Sequence, residues 1–248
     1  MKRQKIIVIL TVIIIILAGC SGETYSESSL YSDNTPSHAG NYDEIQSSSV
    51  QSSTDTQKKC LSVRYVSQLP DYPTGCEGCS AVMALDYAGV MIDPEMFFSK
   101  YLKTTEFPFD PYTNFCGNPR DDTGFGCFAS ALCIAMNKAL QYVPYTAETI
   151  YGKSLEKLCE TYIDNNIPVI IWASVDMAEM RINSIWVYNG KLITWKTPEH
   201  CLVLVGYDEN NYIFNDPMRG KNVTYSKESV QKAYKQMGRQ AVIINRNP

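Results

Sequence analysis

The apolar period of this chain changes at Pro168, and that change restricts the fold more than any other feature. Ahead of it, apolar residues recur at helical spacing. Residues 76–88 read as a helix closed by Gly89 at a C′ position. Asp93-Pro94 reads as the N-cap and first turn of a second helix running to residue 102. Residues 127–140 form a third, and Ser154 caps a fourth over 155–163, with Leu155, Leu158, Cys159 and Tyr162 on one face. From Pro168 onward the runs are short and strand-like. Residues 168–173 are wholly apolar, Asn189-Gly190 joins 185–188 to 192–195 as a hairpin, and 200–207 is continuously apolar after its first residue. Strands 212–215, 223–225 and 241–244 follow, with a helix capped by Ser226 between the last two, and 62–67 is one early strand. Helices first and strands second predict an α+β fold with a largely antiparallel sheet.

The first 59 residues belong to a different class. Residues 1–5 are basic, 6–17 are almost wholly apolar, and Leu17-Ala18-Gly19-Cys20 closes the run with small residues and a cysteine. This is the layout of a secretory signal, too short to span a bilayer comfortably, which takes roughly 20 residues. A cysteine directly after Leu-Ala-Gly resembles the bacterial lipoprotein signal. The resemblance implies removal of residues 1–19 and lipidation of Cys20, which places the chain on the outer face of a bacterial cell membrane. Residues 20–59 are serine-rich with few large apolar groups, so they cannot bury enough surface to offset their chain entropy. They read as a tether with a reach of roughly 35 Å. Residues 60–248 are globular in composition and long enough for one domain with a sizeable core.

The chain carries a formal charge of −4 and has no basic cluster interleaved with aromatics, which argues against a nucleic-acid partner. It has no Gly-rich Lys-Ser/Thr phosphate loop, so no nucleotide is expected. No cofactor or metal is expected either, since a single Cys-x-x-Cys without a second pair is weak for zinc. Of nine cysteines, Cys133, Cys159 and Cys201 lie in apolar runs and read as small buried hydrophobes. Cys116 and Cys127 flank a Gly/Pro/Asp-rich stretch and make the readiest disulfide, although pairing cannot be fixed from sequence. That stretch, 103–126, is long enough to be a cleft wall or lid.

Cys76 sits where a loop with two prolines and two glycines enters the first helix. Backbone N–H groups and the positive helix end favour thiolate there, which suits a nucleophile. His200 is the single histidine of residues 60–248; His38 lies in the tether. Strands 200–207 and 212–215 pair across a tight turn, so His200 and Asp216 meet at one edge of the sheet. A carboxylate on one ring nitrogen fixes the tautomer and frees the other nitrogen for a thiol.

Residues 65–89, with Gln68, Tyr72-Pro73-Thr74-Gly75-Cys76-Glu77 and Leu85-Asp86-Tyr87-Ala88-Gly89, resemble the stand-alone relatives of the bacteriocin-processing peptidases, the family 39-like cysteine peptidases. Residues 200–206 with Asn215-Asp216-Pro217 resemble the family's histidine and aspartate segments, and 115–128 its glycine-rich loop. The resemblance implies a papain-like α+β fold, with Cys76 as nucleophile, His200 as base and then acid, and Asp216 orienting His200. It implies Gln68 as an oxyanion donor beside the Cys76 backbone N–H. The expected activity is that of a cysteine peptidase or amide hydrolase on a peptide or cell-wall amide. Two other readings stand beside it: a catalytically silent binding module, and a thiol–disulfide oxidoreductase using Cys76 and Cys79.

Overall fold

The computed structural model describes residues 58–247. The signal, Cys20 and nearly all of the tether lie outside the described residues. The elements in order are β1 (Lys59–Cys60), α1 (Cys76–Tyr87), α2 (Pro94–Met96, continuing as a π-helical turn over Phe97–Tyr101), β2 (Thr104–Thr105), β3 (Phe115–Cys116), α3 (Ala129–Ala139) and β4 (Tyr145–Tyr151). They continue with α4 (Leu155–Leu158, then π-helical Cys159–Ile163), β5 (Val169–Ser174), β6 (Arg181–Tyr188), β7 (Lys191–Thr197), β8 (Glu199–Tyr207), β9 (Asn211–Asp216), β10 (Gly220–Ser226), α5 (Lys227–Gln236) and β11 (Gln240–Arg246).

The main sheet has the order β10-β9-β8-β5-β11-β4, and every pairing along it is antiparallel. Five of these six strands follow Pro168, as the change of period predicts; β4 precedes it, and α5 falls among the late strands. The sheet's two central strands are almost continuously apolar because both faces are covered: β5 is buried throughout, and β8 from His200 to Gly206. α1 lies against β8 and β5, and α5 against β5. Every residue of α1 from Cys76 to Leu85 is buried, so this helix is a core element rather than an amphipathic one. It ends where expected, with Gly89 at φ +86°.

Local chemistry accounts for the other helix starts. Asp93 Oδ1 accepts from Met96 N at 2.7 Å, Ser154 Oγ from Lys157 N at 3.2 Å, and Ser226 Oγ from Ser229 N at 3.3 Å.

Three expectations are corrected, and one strand was not foreseen. The strand expected over 62–67 is absent; the strand is the two-residue β1, paired with the end of β8 at Gly206 and Tyr207. Beyond it the backbone finds other partners, with Asn215 Nδ2 donating to Val63 O at 3.1 Å and Gln68 N to Pro217 O at 2.9 Å. β4 has no counterpart in the sequence reading, because Ala147 is its one buried residue and no alternation marks it. The 181–197 hairpin has the expected turn, with Asn189 and Gly190 both at positive φ, but it forms a separate two-stranded sheet. Cys116 and Cys127 are both free and buried, as Gly126, not Cys127, bridges to Cys116.

Candidate active site

The N-terminus of α1, the loop before it, and the start of β8 with the end of β9 converge on one cleft of about 390 Å³. Gln68, Cys76, Glu199 and His200 line it, with Phe125 and Trp195 as aromatic walls. Asp122, Thr123 and Gly124 also line it, so the stretch 103–126 does supply one wall.

His200 is held from behind. The β8–β9 hairpin brings Asp216 Oδ1 to 2.8 Å from His200 Nε2, and both side chains are 1% exposed. An ionised carboxylate only accepts, so Nε2 carries the proton and Nδ1 is the free, basic nitrogen of the neutral ring. Asp216 is further fixed by the Met218 N–H at 2.9 Å on Oδ1 and the Tyr225 hydroxyl at 2.8 Å on Oδ2. Burial raises the Asp216 pKa, but the hydrogen bond and charge of His200, with those of Tyr225 and Met218, outweigh it and hold the carboxyl below its ordinary value.

His200 Nδ1 is buried and has no hydrogen-bond partner. The thiol is therefore not hydrogen-bonded to it. Cys76 Sγ instead donates to Glu77 Oε2 at 3.3 Å. The expected thiolate is corrected accordingly: burial pushes the Cys76 thiol well up, the Glu77 and Glu199 carboxyls push it further, and a backbone hydrogen bond from Cys201 opposes them only weakly. The helix end is present, but desolvation and two neighbouring carboxyls outweigh it. Cys79 is pushed up to about 12 by burial and by Glu77, and its Sγ faces Ser67 O at 3.9 Å. Both members of the Cys-x-x-Cys pair are free thiols.

Gln68 is 1% exposed. Its Nε2 donates to Pro73 O at 2.7 Å, which leaves the second N–H of that amide uncommitted, and its Oε1 is buried without a partner. Among the described residues four buried side-chain polar atoms lack a partner, and three of them, Gln68 Oε1, Glu199 Oε1 and His200 Nδ1, belong to residues of this cleft. Native interiors satisfy nearly all such atoms, so their concentration sets this cleft apart from the rest of the described interior.

Two site residues escaped the sequence reading. Glu77 is fully buried, with Oε1 accepting from Cys127 N at 2.6 Å. Glu199 is partly exposed as a residue, yet its Oε1 is not. Burial raises Glu77 to about 7, although hydrogen bonds from Cys127, its own N–H and Cys76 pull it back. Burial, then Glu77, raises Glu199 well above the usual carboxylate range. The signal was available: each is an acid beginning an otherwise apolar run, and each is the immediate neighbour of Cys76 or His200.

The peptidase C39-like family model matches residues 60–242. The chain belongs to the peptidase C39-like family. The C39-like domain is 29% identical to a Bacillus anthracis protein described as a C39-like peptidase; the match covers 77% of this chain and 98% of that crystal structure, with a TM-score of 0.69. Uncharacterized protein YvpB of Bacillus subtilis (strain 168) is 25% identical over 202 residues, 71% of each chain. The peptidase domain of Streptococcus ComA, a bi-functional ABC transporter of a quorum sensing pathway, is more distant, at 14% identity and a TM-score of 0.45 over 75% of this chain. The C39-like fold is the α+β, papain-like one that the resemblance implies.

Proposed function

We propose that this chain is a cysteine peptidase or amide hydrolase, carried on the outer face of a bacterial membrane by lipidated Cys20, and that Cys76, His200, Asp216 and Gln68 do its chemistry. The observation that carries the reading is the buried, unpartnered His200 Nδ1 in the cleft that Cys76 lines, with Nε2 pinned on Asp216. A base so oriented has one free nitrogen and one cleft to serve.

The reaction starts with a turn of the Cys76 side chain about Cα–Cβ, from Glu77 towards His200. His200 Nδ1 takes the thiol proton, and Asp216 stabilises the imidazolium. The thiolate attacks the carbonyl carbon of the amide. The Cys76 backbone N–H and the free N–H of Gln68 Nε2 receive the oxyanion; losing one such donor typically costs about 10²–10³ in rate. His200 returns its proton to the leaving amine. A water, deprotonated by His200, then releases the acyl group and restores the thiol.

Profiling the reduced protein against peptide and cell-wall amide libraries tests this. Wild-type protein is expected to cleave a subset that Cys76→Ala leaves intact, and His200→Ala to lose at least about 10²-fold in rate. Cleavage that survives in Cys76→Ala overturns the reading. A second reading, a silent binding module, draws on the neutral thiol turned towards Glu77. It predicts ligand capture by wild type and Cys76→Ala alike, with turnover by neither.

A further inference from the structure

We infer that Cys76, Glu77 and Glu199 form a binding site for a divalent cation of the zinc class. The Cys76 Sγ and one carboxylate oxygen from each glutamate all lie within 4.8 Å of one another. One ion bonded at about 2.0–2.3 Å to thiolate and carboxylate spans such a spacing with small side-chain adjustments. A soft thiolate with two carboxylates suits zinc better than calcium or magnesium, which take oxygen sets.

A second observation points the same way. Glu199 Oε1 is buried with no hydrogen-bond partner, an acceptor left without a donor. The two carboxyls lie together over Gly126, where a Cβ would collide with Glu77 Oε1 and touch Glu199 Oε2 at 3.4 Å. Two buried carboxylates this close repel unless a proton or a cation lies between them. The outer shell is also in place: the Cys127 N–H on Glu77 Oε1, at 2.6 Å, orients that carboxylate and leaves Oε2 on the thiol side.

Binding needs no oxidant. The ion takes the thiolate and both carboxylates, and the thiol proton leaves to solvent with any proton the carboxyls share. Three protein donors leave a fourth position open towards the cleft. An ion held there keeps Sγ from turning to His200, so the loaded site is a resting form of the proposed hydrolase. Binding itself does not depend on the hydrolase reading; that last consequence does.

The test uses the full chain, reduced and stripped by a chelator, titrated with Co²⁺ and then challenged with Zn²⁺. One Co²⁺ per chain is expected, with a thiolate-to-cobalt charge-transfer band that Zn²⁺ abolishes. Cys76→Ala removes the band, and Glu199→Gln weakens binding at least about tenfold. In the wild-type chain, Zn²⁺ slows alkylation of Cys76, read at its peptide by mass spectrometry, so the outcome does not hang on a variant's folding. Absence of Co²⁺ binding, a band that persists in Cys76→Ala, or Cys76 alkylation at one rate with and without Zn²⁺ overturns the proposal and leaves a shared proton as the occupant. A chain that binds Co²⁺ but cleaves nothing overturns the hydrolase reading alone.

Discussion

Asp216 anchors the site from behind. It receives His200 Nε2, two backbone N–H groups and the Tyr225 hydroxyl, and its side chain is 1% exposed. Its folded pKa is depressed, against an ordinary value of about 3.9 for the unfolded chain. The stability it contributes is therefore fully present above that ordinary value, and is lost as pH falls through the lower, folded one. Asp216→Asn is expected to lower stability by roughly 1–3 kcal/mol near neutrality, the scale of a buried hydrogen bond to a charged group. The gap to wild type is expected to close below about pH 4. Urea midpoints at neutral and acid pH check this, and a gap independent of pH removes the charge from the explanation. The pairing of His200 with Asp216 was legible in the sequence, because a tight turn between two apolar runs fixes which ends meet. The protonation of Cys76 was not. A helix start argues for thiolate, but burial of the thiol outweighs it, and the carboxyls of Glu77 and of Glu199, the latter on a distant strand, push the same way.

At the scale of elements, α1 sets the position of the thiol, and its seat is tight. A Cβ on Gly78 would run into the Phe98 ring, and that ring is stacked on Tyr72 at 4.7 Å between centroids. Tyr72 lies in the loop that carries Gln68, and its N–H donates to Gln68 O at 2.7 Å. Gly78→Ala is expected to cost about 1–3 kcal/mol, the usual range for overpacking, despite the better helix propensity of alanine. An unchanged urea midpoint would show that the ring moves aside freely. The buried strands and the capped helices were readable because burial on both faces and a capping side chain each leave a local mark. β4 escaped for the opposite reason: its partner strand lies far away in the chain and its own side chains carry no period. Residues 62–67 alternate, but their backbone meets the Asn215 side chain, and that of Gln68 just beyond them the Pro217 carbonyl, rather than a neighbouring strand.

At the scale of the whole molecule, the described domain begins close to where the serine-rich stretch ends. Among the described residues no helix is long and apolar enough to cross a membrane. The proposed attachment through Cys20 rests on the segment outside the described residues. Cys20→Ser is expected to move the protein from the membrane fraction to the soluble fraction while leaving the unfolding midpoint of the domain unchanged. Fractionation with immunodetection reads the first, and urea unfolding the second; a variant that stays with the membrane overturns lipid anchoring at that cysteine.

The cleft draws its thiol from the first helix of the domain, and its histidine and the carboxylate that holds it from two late strands. A chain still emerging from the ribosome carries Cys76 long before it carries Asp216, so the proposed triad can come together only when almost the whole domain is available to fold. A product cut short before β9 holds the thiol and the histidine with no Asp216 to orient the ring.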